Sequence, residues 1–210
     1  MGAARPAVAG EQHDVRPLPG EKAQRIIEAM RACVARKGLA GATFDQVARE
    51  AGVSRGLLHY YFGTKEHLLV EAVRRDSELR LQDLEARLEP AKTGDDFMTA
   101  MAQKMQENLS EDPEFTTLIF ELFTLARRND EVAAEFAALL RSTRDTVTAM
   151  LIAAEQRGAL KLAAPADCVV DVLFSLADGF ALRMLGDTER DFSQSIAAAV
   201  GVVRPLLGES

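Results

Sequence analysis

Thr43, Ser54, Arg55, Gly56, His59, Tyr60, Tyr61 and Lys65 crowd into residues 43–65 of this chain. Their chemistry suits holding a polyanion better than making or breaking bonds. A guanidinium can form two parallel hydrogen bonds to guanine O6 and N7. Phenol, imidazole and ammonium groups donate to phosphate oxygens, which fix register without reading sequence. Thr43 and Lys65 fall at predicted helix starts, where free amides and the positive dipole end favour phosphate. Gly56 has no side chain, so its backbone can come close to a groove wall. The chain has no Gly-rich phosphate loop, Cys-x-x-Cys, His-Glu-x-x-His or nucleophile elbow, so no catalytic residue, cofactor or metal is expected and the enzyme reading falls away.

Helical spacing of apolar residues runs through the chain, and no strand alternation stands out. The first helix is expected over Glu21–Lys37, with Ile26, Ile27, Met30, Cys33 and Val34 inward and Gly38 and Gly41 ending it. Thr43 and Gln46 form a capping box for a second helix that stops near Gly52. Ser54 caps a short third helix, and a fourth runs from about Thr64 to Leu88, where Pro90 forbids continuation. Two short helices joined by "AGVS" make a helix-turn-helix. Val53, Leu57 and Leu58 then anchor the second of them, Phe62 is core, and its polar residues are left for the major groove. Five more helices follow, one of them (Pro165–Leu185) apolar nearly all round. It is expected deep in a core or under another chain.

The formal net charge is −7, yet residues 1–65 hold ten basic and six acidic side chains, so the acidic excess lies in the remainder. Only the N-terminal end is expected to meet an anionic partner. Residues 1–20 read as a loose arm without the apolar run of a secretory signal; Arg5 and Arg16 in it are candidates for a minor groove, though a solvated tail is the simpler reading. No run reaches membrane-spanning length. Cys33 and Cys168 show no metal-ligand spacing, and a reduced, cytoplasmic chain is expected. His13 and His67 read as idle, the first in the arm and the second on a helix surface.

The stretch "ATFDQVAREAGVSRGLLHYYFGTKEHLL" resembles the DNA-binding signature of the TetR/AcrR family of bacterial regulators, without gaps from Thr43 to Leu69. His59 departs from it, standing where the family commonly has Tyr. The resemblance implies an all-α fold of about nine helices. It comprises an arm (1–20), a three-helix DNA-binding domain (21–67, helix-turn-helix 43–62), and a ligand-binding and dimerisation domain (68–210) entered through a long helix four. "FELFTLARRNDEVAAEF", "AAEQRGAL" and "SLADGFALRML" resemble, less closely, the bodies of regulators of the choline-responsive BetI type.

From this follow an expected function, a ligand-responsive repressor, and three expected partners: a palindromic double-stranded DNA operator, a small-molecule effector, and a second copy of the chain. A pocket between helices five and six is expected from Met101, Met105, Phe115, Ile119, Phe123 and Arg127, with Asn108 among the orienting polar groups. Ordinary bundle packing explains most of the same residues. A dimer interface built from the last two helices would include Phe174, Asp178, Leu182, Ala198 and Val202. The alternatives are an all-helical interaction protein, or an activator without effector-controlled release of DNA.

Overall fold

The computed structural model describes residues 20–208 apart from residue 111, so the arm with Arg5, His13 and Arg16 lies outside the described residues. Among those described, the chain is helical throughout: α1 (Gly20–Gly41), α2 (Phe44–Ala51), α3 (Arg55–Phe62), α4 (Lys65–Leu88), α5 (Gly94–Ser110), α6 (Pro113–Ala126), α7 (Asp130–Gln156), α8 (Ala166–Gly186), α9 (Ser193–Val203) and a closing 3-10 turn, Arg204–Leu207. No strand occurs among the described residues.

Local chemistry sets the helix starts. Thr43 accepts from the Gln46 amide while the Gln46 side chain returns to the Thr43 amide. Ser54, Thr64, Asp112 and Asn129 cap α3, α4, α6 and α7 with their side-chain oxygens. Each such cap stabilises its helix by roughly 1 kcal/mol. Gly52 ends α2 at φ 66°, a left-handed conformation that a Cβ would disfavour. It makes the turn between α2 and α3. Gly38 (φ 65°) breaks the path of α1 where expected, but the chain winds on to Gly41; a Cβ at Gly38 would stand 2.9 Å from Glu121 Oε1 on α6.

Two apolar cores are strung along α4 and α7. The first joins α1–α3 and the front of α4 to α6 and the start of α7: Ile26, Met30, Leu58, Leu68 and Leu69 meet Leu118, Leu122 and Phe136. It therefore does not stop at the edge of the three-helix unit. The second gathers Leu84 and Leu88 of α4, Phe97 of α5, Leu151 of α7, Val170 of α8 and Leu207. Leu58, the anchor of α3, is fully buried, and truncating such a leucine to alanine costs about 2–5 kcal/mol.

One expectation needs correction: of the two settings expected for α8, the deep core is not what the single chain provides, since α8 buries only Val169 and Val170, and Val172 and Leu182 are 41% and 57% exposed. Within one chain it has neighbours on one side only. The last helix, α9, stops at Val203, as Pro205 cannot donate to the helical ladder, and the chain tightens into a 3-10 turn.

Candidate nucleic-acid interface and cavity

The face of α3 turned away from the core carries Arg55, Gly56, His59 and Tyr60, all exposed, with Tyr60 62% accessible. Leu58 and Phe62 point inward, and Val53, Leu57 and Tyr61 pack partly against the first core. Tyr61 is thus shared between packing and surface, its ring edge-on to Tyr60 with centroids 5.0 Å apart.

Arg55 is held in place without DNA. Its Nη1 lies 3.1 Å from Asp45 Oδ2 on α2, and its Nε donates to His59 Nε2 at 3.2 Å. His59 Nδ1 is 3.3 Å from the Gly63 carbonyl oxygen, so Nδ1 carries the proton and Nε2 accepts. The imidazole also meets the edge of Phe44, centroids 4.7 Å apart. The side chain that departs from the family pattern therefore orients Arg55 and ties the end of α3.

Thr43 and Ser54 are spent on caps, which leaves their helix starts with the amide-rich geometry suited to phosphate. Lys65 is half-buried, and its Nζ donates to the Leu39 carbonyl oxygen at 2.9 Å, fastening the end of α1 to the start of α4. An ammonium has three protons, so two remain for other acceptors. Nearby, Arg36 and the Cys33 thiol both donate to Glu50. Burial, reinforced by Glu50, pushes the Cys33 thiol up and keeps it neutral. Cys33 and Cys168 are both free thiols.

His67 is not idle. It is half-buried between α4 and α7, with Nδ1 3.2 Å from Glu135 Oε1 and Nε2 3.5 Å from Glu131 Oε1. Their spacing of four on α7 was visible in sequence; their meeting with a histidine on α4 was not.

A cavity of about 160 Å³ opens in the second core. Leu84 of α4, Met98, Met101 and Met105 of α5, Phe174 of α8 and Val200 of α9 form most of its wall, with Lys104 and Asn108 as its polar members. It lies between α5 and the last two helices, not between α5 and α6. Met101 and Met105 line it. Phe115 and Ile119 instead pack on the first core, Phe123 is 51% exposed, and Arg127 is exposed at the end of α6. Phe174 turns into this cavity, whereas Asp178, Leu182, Ala198 and Val202 are exposed on the outer faces of α8 and α9.

Between the cavity and α1 lies an ionic junction that sequence reading did not find. Arg31 of α1 pairs with Asp76 of α4 at 2.9 Å and with Asp112, the cap of α6, at 2.7 Å. Arg80 of α4 pairs with the same Asp112, donates to Asn108 Oδ1 at 2.6 Å and stacks 4.0 Å over the Phe115 ring. Burial works against the Asp112 carboxylate, but the Arg31 hydrogen bond, the Phe115 amide and both guanidinium charges outweigh it and hold its pKa below the usual range. Burial pushes Asp76 up despite Arg31 and Arg80.

Residues 26–72, which span this helix-turn-helix, match the model of the tetR family of bacterial regulatory proteins. The helix-turn-helix unit belongs to the TetR family. The chain is 27% identical over 126 residues to the regulator BetI of Agrobacterium fabrum, covering 60% of this chain and 61% of that protein. It thus spans about three fifths of the length of that relative. It is 24% identical over 190 residues to the transcriptional repressor AcnR of Corynebacterium glutamicum, covering 89% of this chain and 94% of that one. The fold of the FadR regulator of Bacillus subtilis, solved in complex with stearoyl-CoA, superposes with a TM-score of 0.70 at 19% identity, over 88% of this chain and 97% of that one. The shared fold therefore extends through the body. No helix among the described residues is long and apolar enough to cross a membrane.

Proposed function

We propose that this chain is a TetR-family repressor that binds a palindromic DNA operator as a homodimer and is released from it by a small molecule held in its body. The observation that carries the reading is the outward face of α3: Arg55 held by Asp45 and His59 beside the bare backbone of Gly56, with Leu58 and Phe62 as anchors. Arg55 reads a base edge. Thr43, Ser54, His59, Tyr60, Tyr61 and Lys65 contact phosphates and set register.

One recognition helix reads few base pairs, so two, related by a twofold and about one helical turn apart, read an inverted repeat. The exposed faces of α8 and α9 suit that twofold. Val172, Leu182 and Val202 stand uncovered there beside the small residues Gly179, Ala197, Ala198 and Gly201, which permit close helix approach. The cavity supports the effector, and the Asn108–Arg80–Asp112–Arg31 junction gives its occupancy a path to α1. AcnR is named a repressor and the FadR structure holds a ligand, which favour the same reading here. Function inside the cytoplasm goes with it.

Fluorescence anisotropy on duplexes selected from a random pool tests the proposal. Binding that selects an inverted repeat and weakens steeply with salt is expected. A chain that ignores duplex DNA at low ionic strength would sink it.

A further inference from the structure

The chemistry of the cavity narrows its ligand. Its wall is thioether, aliphatic and aromatic carbon, and its two polar side chains are already committed. The Lys104 ammonium is 13% exposed and bonded to Asp83, which also pairs with Arg87 at 3.1 Å. The bonds from Lys104 and Arg87 hold the Asp83 carboxyl below the usual range. Arg87 in turn engages Glu107 at 2.8 Å. Asn108 has one acceptor site of its carbonyl oxygen taken by Arg80 at 2.6 Å and offers its amide N–H2 as donor.

An anionic ligand would therefore have to draw Lys104 away from Asp83. A cationic one finds no carboxylate in the wall, and a charge taken into such surroundings without a partner is strongly penalised. Thioether sulfurs of three methionines favour contact with a ring edge and adapt to irregular shapes. A volume of about 160 Å³ has room for a benzene-sized molecule.

We infer that the cavity takes an uncharged, largely hydrocarbon molecule about the size of a substituted benzene, with one hydrogen-bond acceptor that meets the Asn108 amide. This rests on the reading of the body as the effector domain. It sets the ligand apart from a quaternary ammonium or an acyl thioester carrying phosphates.

Three compounds with one skeleton test it by calorimetry on the full chain at pH 7: 3-phenyl-1-propanol, 3-phenylpropanoate and 3-phenylpropylammonium. The alcohol is expected to bind saturably, at least about tenfold tighter than either ion. Ala199→Phe, which fills the space from α9, is expected to abolish that binding. Asp83→Ala, at a residue 42% exposed, frees Lys104; it is expected to tighten the propanoate about tenfold and leave the alcohol within about twofold. Equal or tighter binding of either ion to the parent chain, an unsaturable alcohol, or an Asp83→Ala variant with unchanged preference would overturn the inference. Should Ala199→Phe fail to fold, as read by circular dichroism, the Asp83→Ala result decides. Duplex binding is measured on the same samples: if it is present while the alcohol fails, the ligand class alone is wrong, and if it is absent, the regulator reading fails whatever the alcohol does.

Discussion

Arg31 Nη2 lies 2.7 Å from both carboxylate oxygens of Asp112, 81 residues further along the chain. This one contact binds α1, the helix that carries the DNA-binding unit, to the start of α6. Because Asp112 also takes Arg80, and Arg80 takes Asn108 in the cavity wall, the junction leads from the cavity wall to α1. It is mostly shielded: the side chains of Arg31, Arg80 and Asp76 are 20%, 17% and 5% exposed.

Removing Asp112 leaves two shielded guanidinium groups short of a partner and α6 without its cap. Asp112→Ala is expected to lower stability by about 2–4 kcal/mol. Asp112→Asn, which keeps the capping oxygen, is expected to cost about half as much. Urea denaturation of both variants at neutral pH checks the order.

The same residues set a pH dependence with two opposite limbs. Asp112 has a depressed folded pKa, so its contribution is complete above the ordinary carboxylate value and is lost as pH falls through the depressed one. Asp76 is raised, so its contribution is present below the ordinary value and is lost as pH rises through the raised one. Asp112→Asn should therefore flatten the fall in Tm below about pH 4, while Asp76→Asn should flatten the part of the Tm loss that appears as pH rises above the ordinary carboxylate value. Thermal melts across that range read both.

Coupling through the junction is separable from binding at either end. Asn108→Ala is expected to keep operator affinity within about threefold, because the residue is far from α3, and to shrink the factor by which ligand releases DNA. Anisotropy titrations with and without ligand measure that factor; an unchanged one would remove Asn108 from the path.

On the outward face of α3, Asp45 holds the guanidinium that the proposed function assigns to the operator. Asp45→Ala is expected to tighten DNA binding several-fold at low salt, because the exposed pair it removes contributes under about 1 kcal/mol to the fold while its charge opposes phosphate. Arg55→Ala should relax preference at one base position, at a cost of about 1–3 kcal/mol on the best site. Lys65→Ala should weaken all sequences alike. It should also lower stability by about 0.5–1.5 kcal/mol, since Leu39 loses its donor. Selection from a random duplex pool, paired with melting curves, distinguishes these effects.

The exposed stripe of α8 and α9 carries a prediction about assembly. Val202 is 70% exposed, and Val202→Glu would place a charge on the face assigned to the proposed twofold. The variant is expected to run as a monomer in light scattering while keeping its helix content, and to lose DNA affinity by about a hundredfold or more as the second half-site is lost.

The helix-turn-helix was legible before any coordinates because its signals are local. A cap, a glycine turn and leucines at helical spacing all act within a few residues, so Thr43, Gly52, Ser54, Leu58 and Phe62 stand where their types demand. The start of α6 was legible for the same reason, from the cap and first-turn proline of Asp112-Pro113. The faces of the body helices were not. Apolar spacing says that a side of α5 or α6 is buried without saying against what, so Phe115 and Ile119 looked equivalent to Met101 and Met105 until packing separated a filled core from a cavity. Charges are harder still, because a scattered Arg or Asp reads as solvated surface. Arg31, Asp76, Arg80 and Asp112 become one junction, and His67 a clasp for two glutamates, only when helices distant in sequence cross. Long-range contacts of this kind depend on how whole helices pack, and no window of neighbouring residues contains that information.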